Sequence, residues 1–112
     1  MVSIQNFKNL ALSFPGVTEQ PHFEKTSFRT NKKIFATLNE PENRACLKFS
    51  PVDQSVFCAF DKEVIFPVPN KWGKQGWTLI NLNKIRKSML KDALTQAYCQ
   101  VAIPECAARF KS

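Results

Sequence analysis

The sequence predicts an α+β domain built as a two-layer sandwich, with an antiparallel sheet that carries helices on one face. Apolar residues recur at helical spacing in three segments, and five short runs rich in β-branched and aromatic residues lie between those segments. The turns that join the first three runs are only a few residues long, and short turns connect antiparallel neighbours. The predicted order is therefore α-β-β-β-α-β-β-α.

The first helix is predicted over residues 3–13. Ser3 can cap its amino end, and Val2 and Phe7 occupy the two positions of a hydrophobic staple. The segment Pro15–Pro21 that follows is interpreted as a loop, because it is polar and is bounded by prolines.

Three strands are predicted next. The runs Lys25–Thr30 and Lys33–Leu38 are separated by Asn31-Lys32, which is hairpin length, and Asn tolerates the left-handed conformation better than most residues. A second turn with a proline precedes the third strand, Arg44–Phe49. These strands should form an antiparallel meander.

The second helix should begin at Ser50, where Pro51 follows at the first helical position and Asp53 completes a capping box. It is expected to run to about residue 60 and to bury the apolar residues at helical spacing, which are Val52, Val56 and either Ala59 or Phe60.

The last part of the chain contains two further strands and a long helix. The strands are predicted over Val64–Val68 and Trp77–Asn81, and the helix over residues 83–102. One half of this helix is apolar, whereas Lys84, Lys87 and Lys91 form a narrow stripe on the other half.

The loop between these two strands, together with the first residue of the second strand, holds both tryptophans of the chain. Trp72 and Trp77 alternate with Lys71 and Lys74, and two glycines allow a sharp turn. Two interpretations stay open. Both rings can plug the core, which is the usual role of such a pair, or the loop can present cationic and aromatic groups to a ligand.

The formal net charge is +7, and it is concentrated in the second part of the chain. Residues 1–70 carry eight basic and seven acidic side chains, whereas residues 71–112 carry eight basic and two acidic ones. This asymmetry favours a polyanionic partner such as nucleic acid or an acidic protein. A basic surface with no such partner is the open alternative.

The 112 residues are expected to form a single domain, residues 1–112. The amino end has no basic region that leads into a long apolar run, and no segment reaches membrane-spanning length. We therefore expect a cytoplasmic protein with reduced thiols and no membrane contact. The four thiols are Cys46, Cys58, Cys99 and Cys106.

The sequence offers little chemistry for catalysis. No Cys-x-x-Cys pair is present, and His22 is the single histidine, so neither a metal site nor a Cys–His nucleophile is expected. Three glycines do not form a phosphate-cradling loop. We expect no catalytic residue, no metal and no cofactor. His22 is then either a structural hydrogen-bonding residue or a ligand contact.

Three stretches carry a resemblance to a known family: PGVTEQPHFEKTSFRTNKKIFATL at residues 15–38, KWGKQGW at residues 71–77 and QAYCQVAIP at residues 96–104. Together they resemble the MmcQ/YjbR-like family of small bacterial proteins. The resemblance implies the same helix and strand order and a proposed "double wing" mode of nucleic-acid binding. It supplies no agreed catalytic residues. The implied fold is also similar to that of type III secretion chaperones, which bind proteins.

These observations predict a non-enzymatic binder of DNA or another polyanion, acting as a monomer or weak dimer. Two lysine-bearing turns would contact phosphates: the first wing, Asn31–Lys33, and the second wing, Lys71–Gly76. The alternative is a protein-interaction or small-ligand module, for which His22 and Trp77 are the candidate ligand contacts. The predicted nucleic-acid contacts are Arg29, Lys32, Lys33, Lys71, Trp72, Lys74, Lys84, Lys87 and Lys91.

Overall fold

The structure is a computed structural model that describes residues 2–22 and 25–108, without the side chains of His22 and Cys106. Its elements, in chain order, are α1 Ile4–Leu12, β1 Thr18–His22, β2 Lys25–Thr30, β3 Lys33–Asn39, β4 Arg44–Lys48, α2 Pro51–Cys58, β5 Ile65–Pro67, α3 Lys71–Lys74, β6 Trp77–Asn81, α4 Lys87–Val101 and α5 Pro104–Ala108.

The strands form one antiparallel sheet in the order β1-β2-β3-β4-β6-β5. On one face, Phe28, Leu38, Leu47 and Ile80 are buried against the helices. The long helix α4 crosses β3 and β4 on this side and α1 contacts α4. The predicted α+β class, with an antiparallel sheet and helices on one face, is confirmed.

The opposite face of the sheet, here called the open face, is only partly buried. Thr37, Cys46 and Leu79 lie side by side on it in neighbouring strands, and Lys48 lies opposite Trp77. These side chains alternate along their strands with the buried ones, as the two-residue period of a strand requires. The open face therefore exposes a mixed apolar and polar surface.

The predicted loop at Pro15–Pro21 was wrong in its second half, because Thr18–His22 forms strand β1 at the edge of the sheet. The segment has no apolar alternation to reveal a strand, and Pro21 argues against a central one. An edge strand tolerates both features. Glu19 in this strand lies 3.6 Å from the ammonium of Lys8 on α1.

The hairpin between β2 and β3 is confirmed. Asn31 and Lys32 have φ values of 53° and 63°, as the two central residues of a type I′ turn require. A bulge follows, because the register shifts between Phe28 and Arg29. As a result, the consecutive residues Phe35 and Ala36 are both fully buried.

Helix α2 begins as predicted, with the Ser50 hydroxyl accepting a hydrogen bond from the Asp53 amide at 3.1 Å. The predicted buried face was wrong. Phe57 points inward, with its ring centroid 5.0 Å from that of Phe49, and Gln54 also faces the fold. The apolar stripe that was expected inside is instead 52–71% exposed; it consists of Val52, Val56 and Phe60.

Gln54 explains this rotation of α2. Its side-chain amide nitrogen lies 2.8 Å from the carbonyl oxygen of Gly73, 3.3 Å from that of Trp77 and 3.1 Å from the hydroxyl of Thr78. These hydrogen bonds tie α2 to the second wing and β6, so a polar side chain occupies the inward position that apolar periodicity alone assigned to valine.

The last long helix starts four residues later than predicted, at Lys87. Asn81 causes the delay, because its backbone carbonyl accepts from the amides of Lys84 and Ile85 in a separate turn. Tyr98 anchors the far half of the helix: its ring is fully buried and its hydroxyl donates to the Pro15 carbonyl at 2.7 Å. The predicted apolar face is confirmed, since Met89 is partly buried against the core and the other members are buried: Leu82, Ile85, Leu90, Ala93, Leu94, Ala97 and Val101.

Candidate nucleic-acid interface

The two predicted wings lie at the same end of the sheet. Strand β4 ends beside the β2–β3 turn. Lys48, the last residue of β4, pairs with Trp77, the first residue of β6. The second wing leads directly into Trp77. Four exposed lysine side chains therefore project from this end, which we call the wing end: Lys32, Lys33, Lys71 and Lys74.

The second wing is a short helical turn and not the hairpin-like loop that the sequence suggested. Asn70 caps α3, with its side-chain oxygen accepting from the Trp72 amide at 2.9 Å. Gly73 is buried so close to Val68 that a Cβ there would lie 2.0 Å from the Val68 carbonyl oxygen. This close backbone contact, together with the hydrogen bonds from Gln54, holds the turn in a fixed position.

Neither tryptophan lies in the core. Trp72 is 49% exposed at the second wing, and Trp77 is partly exposed on the open face. The ammonium of Lys71 lies 5.8 Å from the ring centroid of Trp72, and that of Lys48 lies 5.6 Å from the ring of Trp77. Both separations are within the range of cation–π attraction. The interpretation of the pair as a core plug was therefore wrong.

Arg29 lies beside the first wing. It is on β2, opposite Thr18 of the edge strand, and its guanidinium Nε donates to the Ser27 hydroxyl at 3.2 Å. Together with Asn31 and Lys32 it lines a shallow hollow at the wing end.

The predicted lysine stripe lies away from the first wing, and the length of β6 separates Lys84 from the second wing. The carbonyl of Val101, at the far end of α4, accepts a hydrogen bond from the side chain of Asn31 in the first wing. Lys87 begins the same 15-residue helix, so it lies about 20 Å away at 1.5 Å of rise per residue. Lys84 precedes the helix, and its ammonium lies 3.4 Å from a carboxylate oxygen of Glu63. Lys91 is one turn along from Lys87.

A groove of about 450 Å³ opens on the open face next to the second wing. The sheet forms its floor, and the segment before α3 forms one wall. Sequence reasoning had identified only the tryptophans among its residues, which are Lys25, Ile34, Thr37, Cys46, Val68, Asn70, Trp72 and Trp77.

Positive charge prevails along the groove. Lys25 borders it and also a smaller neighbouring hollow, where Arg44 lies 3.2 Å from Glu42. Lys48 adds a third cation beside Trp77. Sequence reasoning missed these cations, although the two-residue period of β4 places Arg44, Cys46 and Lys48 on one side of the strand.

Burial makes the thiols of Cys46 and Cys58 poor nucleophiles. Burial raises the pKa of Cys46 from 9.0 to about 11, and burial also raises the pKa of Cys58. Both are free thiols. The sulfur of Cys99 lies 3.6 Å from the carbonyl oxygen of Ala107. Protonated thiols favour a structural role over nucleophilic catalysis.

Two side chains named in the sequence analysis lie outside the described part of the chain. The side chain of His22 is outside the described residues, as is that of Cys106. Among residues 2–22 and 25–108, no group of three or more His, Cys, Asp or Glu side chains could hold a metal ion. In the same part of the chain, no helix is both long and apolar enough to cross a membrane.

Comparison with known proteins identifies a family and a fold. The family model described as YjbR matches residues 12–100 of the chain. Among solved structures, Deinococcus radiodurans protein DR2400, whose crystal structure contains the DUF419 domain, is similar with a TM-score of 0.80. The two chains are 16% identical, and the match covers 98% of this chain and 88% of the other. No curated protein matches the chain.

Proposed function

This chain belongs to the YjbR family, and we propose that it is a non-enzymatic protein that binds DNA or a similar polyanion at its wing end. The observation that carries the proposal is the position of the two wings. They are distant in sequence, yet both lie at one end of the sheet and both expose lysines. A nucleic-acid-binding protein with reduced thiols belongs in the cytoplasm.

The spacing of the wings suits a phosphate backbone. Strands β3 and β6 are separated only by β4, so the strand ends to which the two wings are attached are about 10 Å apart at two strand spacings of about 4.8 Å. A DNA strand carries one phosphate about every 3.4 Å of helix axis. The four wing lysines can therefore contact phosphates of a single backbone segment, with Arg29 beside them. Contacts of this kind are insensitive to base sequence.

The lysine stripe on α4 is left out of this interface. Lys84 already lies near Glu63, and Lys87 lies about 20 Å from the first wing. These two lysines supply a matched control, because their removal lowers the net charge as much as removal of the two lysines in the second wing.

The proposal is tested by the salt dependence of binding. Four phosphate contacts predict that log affinity for duplex DNA falls against log salt with a slope of about −4. The double variant Lys71→Ala/Lys74→Ala should flatten the slope by about 2, because each lost phosphate contact removes about one counterion. Fluorescence anisotropy with a labelled duplex at several salt concentrations measures both slopes.

The control variant is Lys84→Ala/Lys87→Ala, which should keep the wild-type slope. Equal flattening in the two double variants would show that net charge, and not the wing end, governs binding. Absence of binding at low salt would refute the proposed function altogether.

A second candidate function is protein interaction, which the exposed apolar stripe on α2 favours. Val52, Val56 and Phe60 are all more than half exposed, and a contiguous apolar surface often marks a protein contact. Purification from cells with and without nuclease treatment separates the two functions. Co-purifying material that nuclease removes supports nucleic-acid binding, whereas a stoichiometric protein that persists supports the second candidate.

A further inference from the structure

The groove between the open face and α3 is distinct from the lysine-bearing tips. Resting on the proposed function, we infer that this groove holds the unpaired bases of a single-stranded nucleic acid, stacked on Trp72 and Trp77. The wing lysines would hold the backbone of the same strand. The wing end would then prefer single strands to duplexes, and the sheet surface that the wings leave unused would hold the bases.

The aromatic groups meet the first requirement of a base-stacking site. Both tryptophans of the chain line this one groove, and Ile34 and Val68 add apolar surface beside them. Trp72 is half exposed without being needed in the core, and the Asn70 cap fixes the turn that carries it. Exposed aromatic rings on a sheet are the usual platform for unpaired bases, since every base has a π face.

The charge around the groove meets the second requirement. Each tryptophan has a lysine ammonium within 6 Å of its ring centroid: Lys71 for Trp72 and Lys48 for Trp77. Lys25 borders the groove from β2. Among the described residues of this face, Glu42 carries a carboxylate, and it lies at the smaller neighbouring hollow, where it pairs with Arg44. Cations therefore lie beside both rings, where they can attract the phosphates of a bound strand.

The shape of the groove distinguishes single strands from duplexes. It is a concave space of about 450 Å³ between the sheet and the wall before α3, within the range of sites for flat small molecules. The bases of a duplex stack on one another and cannot enter such a space, whereas an unpaired base can. The side chains of Thr37 and Asn70 lie at the groove and can hydrogen-bond to a base edge.

The test compares an oligothymidylate of about 12 nucleotides, a length typical of single-strand sites, with a duplex of the same length at low salt. Wild type should bind the single strand more tightly, and its tryptophan fluorescence should be quenched. Trp72→Ala should weaken single-strand binding about tenfold or more, the loss found when a stacking aromatic is removed. Duplex affinity should change less than twofold.

Two further variants make the outcome specific. Trp72→Phe keeps a stacking ring and should restore most of the affinity. Phe60→Ala removes another exposed aromatic ring, just after α2 and outside the groove, and should change nothing. Thermal melting followed by circular dichroism confirms that each variant is folded. An oligouridylate arm distinguishes RNA from DNA as the source of the bases.

Failure of the inference and failure of the proposed function give different results. If the affinity of both oligonucleotides falls with salt as phosphate contacts require, but Trp72→Ala binds the single strand as well as wild type does, the stacking site is refuted and the wing end stands. A preference for duplex without fluorescence quenching also refutes the stacking site. If neither oligonucleotide binds at low salt, both are refuted.

Discussion

Replacing Gly76 by alanine should destabilise the protein strongly, for two separable reasons. Gly76 has a φ of 104°, a conformation that residues with a side chain rarely adopt. It also lies beside Phe49, the residue after β4, and its carbonyl oxygen accepts a hydrogen bond from the Phe49 amide at 2.9 Å. A Cβ at this position would lie 2.0 Å from the Phe49 carbonyl oxygen. The neighbouring atom belongs to the backbone, so it cannot rotate away.

The magnitude follows from these two terms. A positive φ at a residue with a Cβ costs roughly 1–2 kcal/mol, and forcing an extra methyl group into a packed site costs roughly 1–3 kcal/mol. The lower entropy of the unfolded alanine chain returns about 0.4–1 kcal/mol. We therefore expect Gly76→Ala to lower the free energy of unfolding by about 2–4 kcal/mol. At about 4–8 °C per kcal/mol for a small domain, the Tm should fall by at least about 8 °C.

Two other glycines are controls for the cost of the positive φ and for the cost of the close backbone contact. Gly16 also has a positive φ, 76°, but a Cβ there would meet only the Thr30 hydroxyl oxygen at 3.4 Å, which is ordinary contact. Gly16→Ala should therefore lower the free energy of unfolding by about 1 kcal/mol, from the backbone term alone. Gly73→Ala isolates the contact term, because a Cβ there would lie 2.0 Å from the Val68 carbonyl oxygen without a positive φ.

Urea denaturation followed by circular dichroism measures all three variants. The expected order of destabilisation is Gly76→Ala first, then Gly73→Ala, then Gly16→Ala. The reasoning is refuted if Gly76→Ala is destabilised no more than Gly16→Ala, because the backbone contact with Phe49 would then contribute nothing.

Two further predictions concern α2 and the open face. Ser50→Ala should lower the free energy of unfolding by about 1 kcal/mol, because the Asp53 amide loses its hydrogen-bond acceptor. The control Ser55→Ala, on the exposed side of α2, should be neutral or slightly stabilising. Equal free energies of unfolding for the two variants in urea denaturation would contradict this prediction. The folded-state pKa of Cys46 is about 11 against an ordinary 9.0, so the neutral thiol is favoured on folding. The stability gained from it is complete below pH 9 and is lost as the pH rises towards 11. Wild type should therefore lose more stability over that interval than Cys46→Ala, and parallel curves would refute the assignment.

Local signals in the sequence predicted the elements that depend on a few neighbouring residues. The two-residue turn at Asn31-Lys32 set the hairpin, and the Ser50 hydroxyl set the start of α2. The apolar half of α4 was also predicted, because 15 residues give the helical period enough repeats to be distinct. Each of these features is determined by residues that are close to it in sequence.

The features that were missed depend on partners far away in sequence. Gln54 sets the orientation of α2, and its hydrogen-bond acceptors lie 19–24 residues further along the chain. An eight-residue helix has too few repeats for its apolar period to determine which face is buried. Strand β1 is polar and becomes a strand only because β2 lies beside it. The groove brings Lys25 and Trp77 together across four strands, which no local pattern indicates.

The prolines in the two outermost strands have a consequence for how the molecule meets others. Pro21 lies in β1 and Pro67 in β5, and β5 is only three residues long. A proline has no N–H to donate, so each border of the sheet lacks an unbroken row of donors. Recruitment of a foreign β-segment, or growth into fibrils by sheet extension, is thereby disfavoured. Concentrated solutions should stay free of cross-β aggregates as long as the native fold persists.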